Sequence, residues 1–131
     1  MSTPADLFAA ARAATAFSHS PYSKFPVGAA ILADDGQVYS GANIENLSFP
    51  EGWCAEATAL SHMVMAGGKR VKEIAVFAPR HDKVAPCGGC RQRLAEFADA
   101  SAKVHLCDAS GVAQTVTLGD LLPSAFDAKL G

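Results

Sequence analysis

The sequence predicts an α/β protein in which helices cover both faces of one mixed β-sheet. Segments with helical and strand character alternate in the order helix, two strands, helix, strand, helix, strand, strand, which is typical of α/β folds. The 131 residues suit one domain. Half of them are hydrophobic and 18% are charged, so the chain can build a core. We therefore expect a single domain over residues 1–131.

The first part of the chain predicts a helix followed by a β-hairpin. Thr3 can cap a helix whose first residue is proline, and the alanine-rich segment 5–17 carries an apolar stripe. Segment 27–33 is typical of a buried strand. Segment 38–44 is its expected partner, because a tight DDGQ turn joins the two.

The remainder of the chain predicts helices and strands in alternation. In order, these are a helix over 54–66 ending at two glycines, a strand over 73–79, a helix over 87–97, a strand over 103–107 and, within 115–126, a strand followed by a short turn or helix. Sheets of this kind place functional sites at strand ends, beside helix starts. The residues at the two later helix starts are therefore the first candidates for chemistry.

Three of the four cysteines lie at these helix starts. Cys54 and Cys87 each begin a helix, where the positive end of the helix dipole favours a thiolate. Cys90 lies three residues after Cys87 and shares its helix face. These three residues, called here the cysteine triad, would fill three tetrahedral positions of zinc and leave the fourth open to water, as catalytic zinc sites do.

Glu56 follows Cys54 by two residues, so its carboxylate can reach a zinc-bound water without binding the metal itself. A ligand-x-Glu sequence followed by Pro-Cys-x-x-Cys is the signature of zinc deaminases, in which the glutamate is the general acid and base. Here the two parts are Cys54-Ala55-Glu56 and Pro86-Cys87-Gly88-Gly89-Cys90. A lone Cys-x-x-Cys is weak evidence, whereas both parts at helix starts are strong evidence for a catalytic zinc site.

Other interpretations of these residues stay open at this point. The Cys-x-x-Cys pair alone could be a thioredoxin-like redox pair, although such a pair would need neither Cys54 nor Glu56. Glu56 could instead be a solvated residue favoured by the helix dipole. His105 and Cys107 lie two apart on a predicted strand and could form another metal pair, but a core position explains Cys107 better.

Charge and hydropathy argue against several classes of partner. The net charge is −2 and the isoelectric point is near 6.0, which disfavours nucleic acid. No stretch approaches the roughly 18 apolar residues of a membrane span, and the start lacks the pattern of a secretion signal. We expect a cytoplasmic protein, with reduced cysteines and neither nucleic-acid nor membrane partners.

Five sequence blocks extend the zinc motif over nearly the whole chain. They are, in order, PYSKFPVGAA, GANIEN, CAEATAL, PCGGCRQ and LGDLLPSAF. In this order they resemble blocks of the cytidine deaminase family, of its small, homotetrameric, zinc-dependent type. The resemblance implies a three-layer α/β/α fold with a five-stranded mixed sheet. It also implies that the cysteine triad (Cys54, Cys87 and Cys90) holds Zn²⁺ and that Glu56 is catalytic.

The reaction implied by the resemblance is hydrolytic deamination of cytidine or 2′-deoxycytidine to uridine or 2′-deoxyuridine, with release of ammonia, in pyrimidine salvage. An alternative is deamination of a different small aminopyrimidine on the same fold, such as blasticidin S or a modified base or nucleoside. In either case the resemblance implies that the partner is a small molecule and that neighbouring subunits of a homotetramer complete each site.

The resemblance also implies substrate contacts. Asn43 and Glu45 would hydrogen-bond the ribose 3′-hydroxyl, and the Ala55 backbone would meet the pyrimidine edge. Phe25 would line the base pocket, and Phe126 would pack over the base in a neighbouring subunit's site. From the residues alone, an Asn–Glu pair that shapes a turn and two core phenylalanines are the alternatives.

The chain departs from much of the family at two places. An arginine often follows the catalytic glutamate, where this chain has Ala57, and the segment before the first ligand carries Glu51 and Trp53 in place of ordinary apolar residues. Three thiolates on Zn²⁺ leave one net negative charge, which opposes ionisation of the water. Helix dipoles can offset part of it, and either Arg91 or Arg93 could supply the rest; the sequence leaves this open.

Overall fold

The computed structural model describes residues 2–127 and contains the elements in the predicted order. They are α1 (Pro4–Ala14), β1 (Gly28–Ala33), β2 (Val38–Ala42), α2 (Ala55–Met65), β3 (Val71–Phe77), α3 (Gly88–Phe97), β4 (Lys103–Asp108), β5 (Gly111–Thr117) and α4 (Leu118–Leu121), with short 3-10 turns at Thr15–Phe17 and Phe49–Glu51. Strands β3 and β5 begin earlier than the sequence predicts. No helix among these residues is long and apolar enough to cross a membrane.

The five strands form one mixed sheet in the order β2-β1-β3-β4-β5. β3 and β4 are parallel, and the other neighbouring pairs are antiparallel. The parallel pair needs a crossover connection, which α3 provides. Gly28 at the start of β1 pairs with Ala42 on one side and with Phe77 on the other. The C-terminal ends of β2 and β3 therefore lie at the same end of the sheet, and the segments that lead to α2 and α3 leave the sheet there.

Helices cover both faces of the sheet, which confirms the three-layer α/β/α fold. On one face, Leu7 and Ala11 of α1 pack with Ala30, Ala75, Phe77 and Cys107. On the other, Met63 of α2, Leu94 of α3 and Leu118 of α4 pack with residues that include Ala29, Ile31, Ile74 and Val104. Neighbours such as Ala29 and Ala30 belong to different clusters because successive side chains of a strand point to opposite faces. The predicted core position of Cys107 is confirmed, since it is fully buried.

Local features of the sequence explain the start of α1 and the close packing of the helices. The Thr3 hydroxyl accepts from the Asp6 N–H at 3.2 Å, and Asp6 Oδ2 accepts from the Thr3 N–H at 2.9 Å, which together form a capping box. Gly41 of β2 permits close approach of α2, because a Cβ there would lie 2.5 Å from the Ala59 nitrogen. This contact places the start of α2 against the sheet edge.

Candidate metal centre

The cysteine triad comes together where α2 and α3 begin. Cys54 is the N-cap of α2 and Cys87 the N-cap of α3, as the sequence predicts, and Cys90 lies in the first turn of α3. The three sulfurs all lie within 4.8 Å of one another. Within residues 2–127 this is the one group of three or more His, Cys, Asp or Glu side chains placed to hold a metal ion.

The distances between the sulfurs fit zinc. A tetrahedral ion with zinc–sulfur bonds of about 2.3 Å separates its sulfur ligands by about 3.8 Å. The Sγ atoms of Cys54 and Cys87 are 3.8 Å apart. Neither of these residues uses its side chain to cap its helix, and all three cysteines are free thiols. Three soft donors are the number that catalytic zinc sites use, since such sites keep one position for water or substrate.

Interactions within the triad favour ionisation of one of its three sulfurs, that of Cys54. Interaction with the Cys90 thiol lowers the pKa of Cys54 to about 6, and the positive charge of Arg93 acts in the same direction. The same interaction with Cys54, together with burial, raises the pKa of Cys90. One thiolate therefore forms readily in the protein without a metal, and zinc binding would displace the remaining thiol protons.

Glu56 lies beside the triad in the first turn of α2, and 4% of its surface is exposed. In the protein without a metal, burial raises the pKa of Glu56 to about 7, and the charge of Cys54 adds to this effect while Arg93 opposes it. The interpretation of Glu56 as a solvated residue is therefore wrong. A buried carboxyl group with a pKa near neutrality is suited to both accept and donate a proton.

A cavity of about 400 Å³, called here the site cavity, is bordered by the metal-site residues. It brings together six of the predicted catalytic, metal-binding and substrate-binding residues: Asn43, Glu45, Cys54, Ala55, Glu56 and Cys87. Cys90 is fully buried and does not line it. A cavity of this volume is within the range of small-molecule sites.

Asn43 and Glu45 use part of their hydrogen-bonding capacity to hold the segment before β1. Asn43 Nδ2 donates to the Phe25 carbonyl at 2.9 Å, and Asn43 Oδ1 accepts from the Val27 N–H at 2.9 Å and from Ser18 Oγ. Glu45 accepts from the Ser23 hydroxyl and from two backbone N–H groups, and these hydrogen bonds lower its pKa.

This pair therefore shapes the loop, as the alternative interpretation predicts, yet keeps some capacity for a ligand. Asn43 has a second amide hydrogen, and the carboxylate of Glu45 has further lone pairs. Together they can accept a hydrogen bond from a hydroxyl group and donate one to it. Both residues line the site cavity.

The two phenylalanines do not line the site cavity within this chain. Phe25 is half-buried, and its backbone nitrogen donates to Ser23 Oγ at 3.0 Å. Phe126 is 74% exposed, and its carbonyl accepts from Gln92 Nε2 at 3.4 Å in a separate groove along α3 and α4. Their assigned roles stay predictions.

Sequence reasoning missed most of the apolar lining of the site cavity, which includes Val27, Ile44, Phe49, Val84 and Ala85. In the structure these residues lie outside the regular strands, and although Val27 and Ile44 stand at the ends of the predicted strands, a strand pattern does not show which residues face a cavity. The position of Ile44 between Asn43 and Glu45 was the available signal. Its backbone exchanges two hydrogen bonds with Trp53, at 2.8 and 2.9 Å, and this bridge builds one wall of the cavity.

The alternative metal pair on β4 is not supported. His105 is buried, with Nε2 2.7 Å from Glu73 Oε1 and Nδ1 2.8 Å from Thr115 Oγ1, so both ring nitrogens already have partners. Cys107 packs against α1 in the core. Neither residue belongs to a possible metal group within the described part of the chain.

Comparison with known proteins points to one family. Residues 1–106 match the family described as the cytidine and deoxycytidylate deaminase zinc-binding region. The curated cytidine deaminase of Sporosarcina psychrophila is 45% identical over 94% of this chain and 90% of its own length, and that of Halalkalibacterium halodurans is 47% identical over 86% and 85%. A crystal structure of cytidine deaminase from Burkholderia pseudomallei superposes with a TM-score of 0.89 at 41% identity, covering 95% of this chain and 100% of that one.

Proposed function

Since the chain belongs to the zinc-binding family of cytidine and deoxycytidylate deaminases, we propose that it hydrolyses cytidine and 2′-deoxycytidine to uridine and 2′-deoxyuridine, with release of ammonia. The observation that carries the proposal is a buried carboxyl group beside three cysteine sulfurs with zinc-compatible spacing, at a cavity large enough for a nucleoside. A structural zinc site or a redox pair requires no such carboxyl group.

Cys54, Cys87 and Cys90 would hold the zinc ion, which when bound lowers the pKa of water and so supplies a nucleophile at neutral pH. Glu56 carries the protons. Its carboxylate accepts one from the attacking water and donates one to N3 of the pyrimidine, as the water oxygen adds to C4. It then takes the proton of the new C4 hydroxyl and donates it to the amino group, which leaves as ammonia while the C4 carbonyl forms. Burial of Glu56 keeps bulk water from competing for these transfers.

The chain's own groups orient the substrate for this attack. Asn43 and Glu45 bind the ribose 3′-hydroxyl with the amide hydrogen and the carboxylate lone pairs that the loop leaves free. The Ala55 backbone meets the pyrimidine edge. Ala55 is the first residue of α2, where backbone N–H groups lack acceptors within the helix and are available to a ligand.

The active form in this proposal is a homotetramer of single-domain chains. Several large apolar side chains are exposed in one chain: Phe17, Leu47, Phe49, Met65 and Phe126. Other copies would cover such surfaces, and Phe126 would pack over the base in a neighbour's site while Phe25 lines the base pocket. Free cysteines suit the reducing cytoplasm, where the reaction would serve pyrimidine salvage without nucleic-acid or membrane partners.

Ammonia release from a panel of substrates tests this function. The zinc-loaded protein should release ammonia from cytidine and 2′-deoxycytidine with a higher kcat/KM than from free cytosine, isocytosine, adenosine or blasticidin S. A preference for free cytosine would contradict the ribose-binding role of Asn43 and Glu45. Turnover of blasticidin S or a modified base alone would favour the alternative aminopyrimidine deaminase.

A further inference from the structure

Arg93 of α3 lies against the cysteine triad. Its Nη1 donates to Cys90 Sγ at 3.4 Å, and its guanidinium carbon is 5.4 Å from the centre of the Trp53 ring. The guanidinium also packs over the first turn of α3, since a Cβ added at Gly89 would lie 3.3 Å from Nη1. The guanidinium of Arg93 is thus held beside the metal ligands by the Cys90 sulfur, the face of the Trp53 ring and the backbone of α3.

The charge of the site explains why a cation is needed there. Three thiolates and Zn²⁺ leave one net negative charge, and an ionised Glu56 next to them adds another. The guanidinium of Arg93, in contact with Cys90 Sγ, brings one full positive charge to this negative site. The first turns of α2 and α3 supply only partial positive charge.

Arg91, the other candidate on α3, is engaged elsewhere. Its Nε donates to the Pro86 carbonyl at 2.7 Å and its Nη1 to the Leu121 carbonyl at 2.9 Å. These bonds tie α3 to the preceding loop and to α4. Within residues 2–127, Arg93 is the one arginine or lysine that donates a hydrogen bond to a sulfur of the triad.

The residues around Arg93 leave room for this arrangement. Trp53, Ala57 and Arg93 line the same surface groove between α2 and α3. The small side chain of Ala57, which is 2% exposed, does not compete with the guanidinium for the space beside the sulfurs. Trp53 supplies the aromatic face on which the guanidinium rests. The unusual residues at positions 53 and 57 therefore belong with Arg93 to one arrangement.

We propose that Arg93 is a positioning residue of the metal centre, whose guanidinium rests on Trp53 and offsets the excess negative charge of the zinc-loaded cysteine triad. This rests on the proposed function in so far as zinc occupies the triad. Removing the positive charge should weaken zinc binding, and the loss of a hydrogen-bonding partner of a metal ligand typically costs about 10–100-fold in metal affinity.

Zinc affinity, measured by competition with a chromophoric chelator, tests the proposal without relying on activity. The parent is compared with Arg93→Gln, which keeps a long hydrogen-bonding side chain without charge, and with Arg93→Lys, which keeps the charge. Arg12→Gln removes the same unit of charge from α1, away from the triad, and serves as the control. Thermal unfolding of the metal-free proteins reports any loss of packing.

We expect Arg93→Gln to bind zinc about 10–100-fold more weakly, with the metal-free unfolding temperature close to that of the parent. The zinc affinity of Arg93→Lys should lie between those of the parent and Arg93→Gln, and the zinc affinity of Arg12→Gln should match that of the parent. Zinc affinity of Arg93→Gln within about threefold of the parent would overturn the proposal, as would Arg93→Lys binding no better than Arg93→Gln. If the parent itself failed to bind zinc, the proposed function would fail instead.

Discussion

Replacement of Glu56 by glutamine should abolish turnover while keeping the zinc site and the fold. The two side chains have nearly the same shape, so the packing around position 56, which is 4% exposed, should survive. Glutamine cannot accept and return a proton. The other carboxylate of the site cavity, Glu45, is engaged by Ser23 and two backbone N–H groups, so no ready substitute base lies nearby in the described chain.

The expected magnitude follows from this dependence on one group. General acid–base catalysis is typically worth about 10²–10⁴-fold, and here one carboxyl group carries both transfers. We therefore expect kcat to fall by at least about 10³-fold, which corresponds to about 4 kcal/mol in the activation free energy.

Ammonia release from cytidine should be measured in samples whose zinc content is determined in parallel. Glu51→Gln is the matched control, because it makes the same chemical change at an exposed residue in the loop before Cys54. It should retain parental activity. A Glu56→Gln protein with full zinc and kcat within about threefold of the parent would refute the role of Glu56.

Three further predictions concern the tail, the packing and the pH dependence of the fold. Truncation after Pro123 removes Phe126 and should raise KM for cytidine sharply; an unchanged KM, or full activity of a monomer in sedimentation, would contradict a tail that completes a neighbour's site. Gly41→Ala should lower the free energy of unfolding by roughly 1–3 kcal/mol in denaturant titrations, because its Cβ would lie 2.5 Å from the Ala59 nitrogen; parental stability would contradict this packing. Hydrogen bonds from two backbone N–H groups lower the pKa of Asp34, so its stabilising effect is present at neutral pH and is lost as pH falls through that lowered pKa. Asp34→Asn should accordingly unfold at a lower temperature than the parent at pH 7 and at the same temperature in strong acid, and an equal difference at both pH values would exclude an effect of its charge.

The regular elements were predictable where burial produces a clear pattern. The helix starts at Cys54 and Cys87 agree with the sequence because local signals and apolar spacing coincide there. The start of β5 was missed because three successive residues in its middle, Ala113 to Thr115, are all exposed, so this edge strand lacks the alternation that marks a half-buried strand. β3 begins at Val71, and exposed Lys72 obscures that start.

The site was predictable in its chemistry and less so in its surroundings. Residue types and spacing identify the zinc ligands and Glu56 as candidates, whereas the bridge between Ile44 and Trp53 depends on how two loops meet in the fold. Helix geometry alone could have predicted that Arg93, rather than Arg91, lies beside the triad. Arg93 lies three residues after Cys90 and shares its face, whereas adjacent residues such as Arg91 do not.

The dependence of activity on bound zinc tests the central claim most directly. Metal-free parent and Cys87→Ala proteins would be titrated with zinc, and bound zinc and ammonia release from cytidine would be measured in the same samples. The account predicts that parental activity rises in proportion to bound zinc up to one ion per chain, and that Cys87→Ala gains neither tight zinc nor activity. Cytidine deamination that is independent of zinc, or full zinc binding by Cys87→Ala, would contradict it.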